Sequence, residues 1–393
     1  MLWYDCPSNL KLGEANHNYA KHIITHNLPK VHCVNFCNHS FSVFSVKDNT
    51  LRHSVPFSFF FRFLLFSFYS LLHILYYHDE QEREELKMNS YMPEGMLENG
   101  AFTPRDLERA MEKRKILEAP VTLCDGEMNL HVALGKGLLG IIPYREAVYT
   151  PNEDPIKDIA VLTRVGKTVA FRVMKVERQK DGHPLYILSR REAQRECYEN
   201  KISLLRPGDV IPAKITHMEA FGAFADIGCG IVSLLSVDSA SVSRITHPRF
   251  RFFLGEEIRV VVKAKDDSGR IFISHKELLG TWEENAALFK VGQTVTGIAR
   301  SREPYGVFVE LTPNLTGLAE PRESIAENSA VAVYIKSILK EKMKIKLVII
   351  DTYPAKPQKI LLPPFPSSHN ITHIDRWTYS PRGAEKHIES IFS

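Results

Sequence analysis

The sequence predicts a mainly β chain of tandem five-stranded barrels joined by short helices and linkers. Three observations carry this expectation. Apolar residues beyond residue 116 alternate with a period of two, Gly and Pro punctuate the short apolar runs, and a block of roughly 85 residues recurs along the chain.

The elements follow in order. Thr103-Pro104 is a usual helix start, and Leu107, Ala110, Met111 and Leu117 recur at helical spacing among charged residues, so residues 88–115 read as a leading segment with one short helix. Gly208-Asp209-Val210-Ile211 then opens a strand that puts Ile211, Ala213 and Ile215 on one face, and Gly292-Gln293-Thr294-Val295 opens another in the same way. Thirteen positions after each glycine stands an aromatic, in Phe221-Gly222-Ala223-Phe224-Ala225-Asp226-Ile227 and in Tyr305-Gly306-Val307-Phe308-Val309-Glu310-Leu311. Ten positions before each glycine stands another, Tyr198 or Trp282. Further strand starts recur at Gly166 and Gly255, and two units share a close, Leu188-Ser189-Arg190-Arg191-Glu192 and Ile273-Ser274-His275-Lys276-Glu277. Three units result, at 116–196, 206–280 and 290–353. Each holds five strands plus connections, which suits a small closed barrel better than a solenoid turn. The tail, 354–393, begins proline-rich with Pro363-Pro364 and Pro366. It ends in Trp377, Tyr379 and apolar residues at 388–392, too apolar for a free linker, and is expected to dock on the third unit or on a partner.

Composition excludes several classes. With 393 residues the chain has room for two or three domains, and 44% hydrophobic and 24% charged residues argue against wholesale disorder or a fibrous repeat. A net charge of +4 permits a nucleic-acid partner without marking a purely electrostatic binder. The six cysteines are scattered, unlike a secreted disulfide scaffold, so a reducing, cytoplasmic setting is expected. No metal or cofactor is expected. The closest approach to a ligand motif, His32-Cys33 with Cys37 and His39, lacks a second pair.

Residues 1–87 differ from the rest. They hold eight of the 16 histidines and run into an aromatic, Leu- and Ser-rich stretch at 57–77. That stretch has membrane-spanning length, but Arg62 and its serines oppose insertion. Its residues come from pyrimidine-rich codons, and Glu82-Arg83-Glu84-Glu85 before Met88 from purine-rich ones, as translated upstream DNA with a ribosome-binding site would look. The expectation is that the native protein starts at Met88 or Met92, that residues 1–87 are a mistaken or disordered extension, and that no membrane is then involved.

The repeated residues resemble a known family, the S1 RNA-binding domain found in tandem in bacterial 30S ribosomal protein S1. The resemblance rests on Gly208, Phe221-Gly222-Ala223-Phe224, Gly230-Ile231-Val232-Ser233, the turn from Asp266 to Arg270 and the Ile273-Ser274-His275-Lys276-Glu277 close. The third unit keeps Gly292, Tyr305, Phe308 and Gly317-Leu318. The first keeps mainly Gly140-Ile141-Ile142-Pro143 and its last two strands. The resemblance implies OB-fold barrels that bind single-stranded RNA, mRNA in translation at the ribosome, across one face.

Strict alternation puts Phe224 with Gly222 on one face and Phe221 with Ala223 on the other, and a bulge or the barrel coil would bring both rings to the rim. Each base stacked on an exposed ring is worth about 1–3 kcal/mol. Stacking is expected above all from Phe224 and Phe308, with Phe221 or Tyr305 serving the core, and small residues between the rings leave room for bases. Arg270 is expected on phosphate or a base face, and Asp266 on a base amino group or ribose hydroxyl. Ser233 and Glu320 stand where the family usually carries a histidine. In the third unit Lys340, Lys342 and Lys344 replace the turn acid and arginine, shifting the chemistry toward phosphate, with Lys340 and Lys344 as candidate contacts. In the first unit Asp125-Gly126-Glu127-Met128-Asn129-Leu130-His131 replaces the aromatic pair, so that unit is expected to bind protein, with the 30S subunit as the candidate.

No catalytic residues are expected. Gly166-Lys167-Thr168 resembles the end of a phosphate-binding loop but lacks the earlier glycine, since Val161 stands there, and the helix that should follow reads as a strand. His217, His247 and His275 read as surface or barrel-edge residues. Two alternatives stay open: an accessory RNA-binding protein of RNA processing or degradation, and a membrane-tethered nucleic-acid-binding protein resting on residues 57–77.

Overall fold

The structure is a computed structural model that describes residues 91–97, 101–135, 137–151, 154–179, 182–322, 325–353 and 370–392. The expectations for residues 1–87, the Cys33 cluster, the 57–77 stretch and the prolines after residue 354 therefore fall outside the described residues.

The chain alternates every two residues between core and solvent, and the strands close on themselves. The first barrel is formed by β1 (Leu117–Cys124), β2 (Leu130–Gly135), β3 (Leu138–Ile142), β4 (Thr168–Arg178) and β5 (Pro184–Ser189). The second uses β6 (Val210–Glu219), β7 (Gly222–Asp226), β8 (Val232–Ser236), β9 (Glu257–Lys265) and β10 (Ile271–Ser274), and the third β11 (Thr294–Glu303), β12 (Gly306–Thr312), β13 (Leu315–Ala319), β14 (Ala330–Leu339) and β15 (Lys344–Tyr353). In each barrel the first strand pairs with the second and fourth, and the third pairs in parallel with the fifth. Closure of this kind removes exposed sheet edges. These are the OB-like barrels the repeat predicted.

Ahead of β1, helix α1 (Pro104–Glu112) starts at a capping box. The Thr103 hydroxyl accepts from the Asp106 amide, the Asp106 carboxylate accepts from Thr103, and Pro104 occupies the first turn. Its Leu107 is sealed in the first barrel's core beside Phe171 and Tyr186.

Two polar junctions bind the second barrel to its neighbours. On one side, residues 91–97 thread between the first and second barrels. Glu94 is buried and accepts from Arg190 at 2.7 and 3.1 Å and from the Ala170 amide, while its own amide donates to Asp226. Arg190 opens helix α2 (Arg190–Asn200), whose cap is the Ser189 hydroxyl. On the other side, Glu310 of β12 is fully buried and accepts from Arg251 at 2.6 and 2.9 Å and from Arg300 at 2.7 and 3.2 Å. Fork-to-carboxylate pairing of this kind makes a buried charge tolerable.

The tail packs on two barrels. Val210 donates to the Thr372 carbonyl and Ile374 to the Gly208 carbonyl, along the start of β6. A short hairpin of β16 (Arg376–Thr378) and β17 (Glu389–Ile391) then brings Trp377 and Tyr379 into the third barrel's core. Gly208 has a left-handed backbone, and a Cβ there would meet the Ile374 carbonyl at 2.3 Å, so both its conformation and this close approach require glycine.

Candidate nucleic-acid interface

The aromatic pair is built by a two-residue hairpin. Glu219 pairs with Gly222 across it, leaving Ala220-Phe221 as the turn, and Glu303 pairs with Gly306 around Pro304-Tyr305. Phe221 (58% exposed) and Tyr305 (63%) therefore project from the tips, while Phe224 and Phe308 lie half-buried on the strands behind them. The two rings of each pair meet edge to face, at 5.9 Å in the second barrel and 6.1 Å in the third. A turn, and not the bulge or coil expected, brings both rings to one surface. The outer ring of each pair is also the more exposed, so Phe221 and Tyr305 do not serve the core as expected.

The small residues between the rings serve closure of the barrel. A Cβ at Gly222 would meet the Leu235 carbonyl at 2.6 Å, one at Gly306 would meet the Ala319 carbonyl at 2.4 Å, and Ala223 is sealed in the core. They do not leave open space for bases.

Strand pairing extends each half-buried ring into a row. In the second barrel His217, Phe224, Leu234 and Phe272 stand opposite one another on β6, β7, β8 and β10. His217 lies nearly parallel to Phe224, ring centroids 6.0 Å apart, and its Nε2 is 2.7 Å from Glu219. It reaches this surface because the register slips between Ile215 and His217. Continued alternation from Ile211, Ala213 and Ile215 would have turned it inward, so the sequence offered no signal for it. The same slip in the third barrel places Ser301 opposite Phe308, and the row continues through Leu318 to Lys346. In the first barrel the row is Leu123, His131, Ile141 and Ile187, with Asp125 3.1 Å from His131.

The remaining predicted residues divide. Ser233 is buried and its hydroxyl donates to the Ile271 carbonyl, so the outward position beside Phe224 is Leu234, one residue on. Asp266 builds the β9–β10 turn. Its carboxylate accepts from the Ser268 hydroxyl and amide and from the Arg270 amide, and the Ser268 hydroxyl chiefly holds its pKa below the ordinary carboxylate value. It therefore positions Arg270, whose exposed side chain borders the same cleft as Phe224, Leu234 and Phe272. Lys340 is exposed and paired with Glu283, whereas Lys344 is exposed on β15 two residues before Lys346. Glu320 is exposed and 3.7 Å from Lys336.

No helix among the described residues is long and apolar enough to cross a membrane.

Residues 204–276, the second barrel, match the family profile of the S1 RNA binding domain. The small ribosomal subunit protein bS1 of Staphylococcus aureus (strain COL) is 28% identical over 266 residues, covering 63% of this chain and 64% of that protein. The bS1 homolog of Bacillus subtilis (strain 168) is 28% identical over 262 residues, covering 62% of this chain and 64% of its own length. The chain thus spans a little under two thirds of these relatives. A solved multidomain protein with nucleic acid binding domains from Streptococcus pneumoniae is 15% identical, covers 60% of this chain and 73% of its own, and has a TM-score of 0.21. The second barrel is thereby recognised as similar to the S1 RNA binding domain, within a chain similar over most of its length to bacterial bS1 proteins.

Proposed function

We propose that this chain binds single-stranded RNA through the aromatic rows of its second and third barrels, as a cytoplasmic, non-enzymatic protein acting on mRNA at the ribosome. The observation that carries the reading is the pairing of an exposed tip ring with a half-buried strand ring, repeated in register in two barrels. Exposed aromatic faces accept any unpaired base, and each stacked base contributes about 1–3 kcal/mol. Arg270 in the second barrel and Lys344 and Lys346 in the third supply cations for the backbone. Lys340 contributes less, since Glu283 already holds it. The first barrel lacks the ring pair and instead exposes Leu123, Leu139 and Met174, which suits docking on a protein surface, with the 30S subunit as the partner.

The test is the affinity of the full chain for an unstructured RNA of about 12 nucleotides, a length within the range OB folds cover. Phe221→Ala with Phe224→Ala should lower affinity at least tenfold, or about 1.4 kcal/mol. Unchanged affinity in a variant that melts like the wild type rejects the reading.

A further inference from the structure

The second barrel's row does not end at its own surface. It continues into a cleft of about 660 Å3 whose other wall belongs to the first barrel's connector and to α2. That volume lies within the roughly 300–1,000 Å3 of sites that enclose small organic ligands. Phe224, Leu234 and Arg270 line one side, and Tyr149, Arg164 and Tyr198 the other.

The far wall is fixed in place. Gln194, buried on α2, accepts from the Tyr149 amide at 3.0 Å and donates to the Cys229 carbonyl of the second barrel at 3.1 Å, tying the connector to the neighbouring barrel. Tyr149 and Tyr198 stand with ring centroids 5.9 Å apart and tilted by 52°. Of the two cations on this wall, Arg190 is held by Glu94 and Arg164 is the one with a donor to spare. Its side chain is 15% exposed, its Nε is buried without a hydrogen-bond partner among the described residues, and Glu94, 3.7 Å away, already takes two bonds from Arg190. A buried donor left without an acceptor is costly, and a charged oxygen entering the cleft would relieve it. Asp154 borders the cleft as well, but it is exposed and its charge is screened by solvent.

We propose that this cleft is a nucleotide pocket, in which one nucleotide of an RNA strand lying on Phe221 and Phe224 sets its base against Tyr149 and Tyr198 and its phosphate on Arg164. The inference rests on the RNA-binding reading and adds to it an interaction that a single barrel cannot make. The first barrel then acts in RNA binding through its connector, even though its own row lacks the ring pair.

The test compares RNAs of about 4 and about 12 nucleotides, a short and a longer length within the range that OB folds cover, on the full chain. Arg164→Met should weaken the longer RNA about fivefold and lower the magnitude of its salt slope by about 0.7, the value for one phosphate on a single strand, while the shorter RNA, held on the aromatic row, is unaffected. Tyr149→Ala, which leaves the Glu94 ion pairs untouched, should weaken the longer RNA by a similar factor without changing the slope. Arg164→Lys should restore most of the slope. Unchanged binding of the longer RNA in Arg164→Met and Tyr149→Ala overturns the pocket, as does a loss confined to an Arg164→Met protein that melts early. If the Phe221 and Phe224 variants lose affinity while these do not, only the pocket falls. If the Phe variants bind as wild type, the RNA reading falls with it.

Discussion

The second and third barrels carry the same tip hairpin and the same edge-to-face ring pair, yet the rows behind them differ. One runs His217, Phe224, Leu234, Phe272, and the other Ser301, Phe308, Leu318, Lys346. The shared part follows from the fold, because a two-residue turn beside a glycine closely packed against the next strand presents both rings in either barrel. The differing part is chemistry laid on that frame. Four apolar or aromatic side chains favour base stacking, while one ring with Lys346 and Lys344 favours phosphate. On the proposed reading the second barrel's row holds RNA chiefly by stacking, and the third barrel's row with a larger share from phosphate.

The largest effect is expected from severing the two barrels. Glu310→Ala would leave Arg251 and Arg300 buried without their shared carboxylate, and urea denaturation should show a loss of about 3–5 kcal/mol. A loss under about 1 kcal/mol would mean the junction is not what couples them. Next in size, Phe221→Ala with Phe224→Ala should cost more RNA affinity than Tyr305→Ala with Phe308→Ala, tenfold or more against severalfold by fluorescence anisotropy. Equal losses would erase the distinction between the rows.

The junctions differ as the rows do. Burial chiefly pushes the Glu118 carboxyl, beside Gly95 and Glu94 on the first-barrel side, up from 4.5 to about 7. A raised carboxyl pKa means the folded state holds the proton more tightly. Its contribution is therefore complete below pH 4.5 and is lost as pH rises through about 7. Glu118→Gln should flatten the fall in melting temperature across that window, an effect on the order of 1–2 kcal/mol after allowance for solvent screening. An unchanged pH profile would assign the fall to other groups. The smallest effect is expected from Lys344→Ala with Lys346→Ala. The magnitude of the salt slope should fall by about 0.7 for each phosphate that is no longer neutralised, with only a few-fold change in affinity at low salt.

The repeat spacing made the barrels legible, because alternation and punctuating glycines are local properties. The ring pairs were legible too, since they recur in register. His217 and Ser301 were not, because a one-residue slip in the first strand of each barrel reverses which side chains face out, and alternation alone cannot register a slip. Ser233 was misplaced by one position, its neighbour Leu234 being the residue opposite Phe224. Asp266 was read as a ligand to a base because an acid before a Ser-Gly turn can face either solvent or its own backbone, and here it faces the backbone. The Glu94–Arg190 and Glu310–Arg251 pairs join residues 96 and 59 positions apart, beyond any local pattern. The cleft at Tyr149 exists only once two barrels are locked together.

The most direct test is photo-crosslinking of the full chain to a 4-thiouridine-substituted, unstructured RNA, with the crosslinked peptides identified by mass spectrometry. Stacking on the ring pairs predicts crosslinks on residues 217–224 and 301–308, denser on the former. Crosslinks confined to the tail hairpin or to the outer strands of the first barrel, with none at either ring pair, would contradict it.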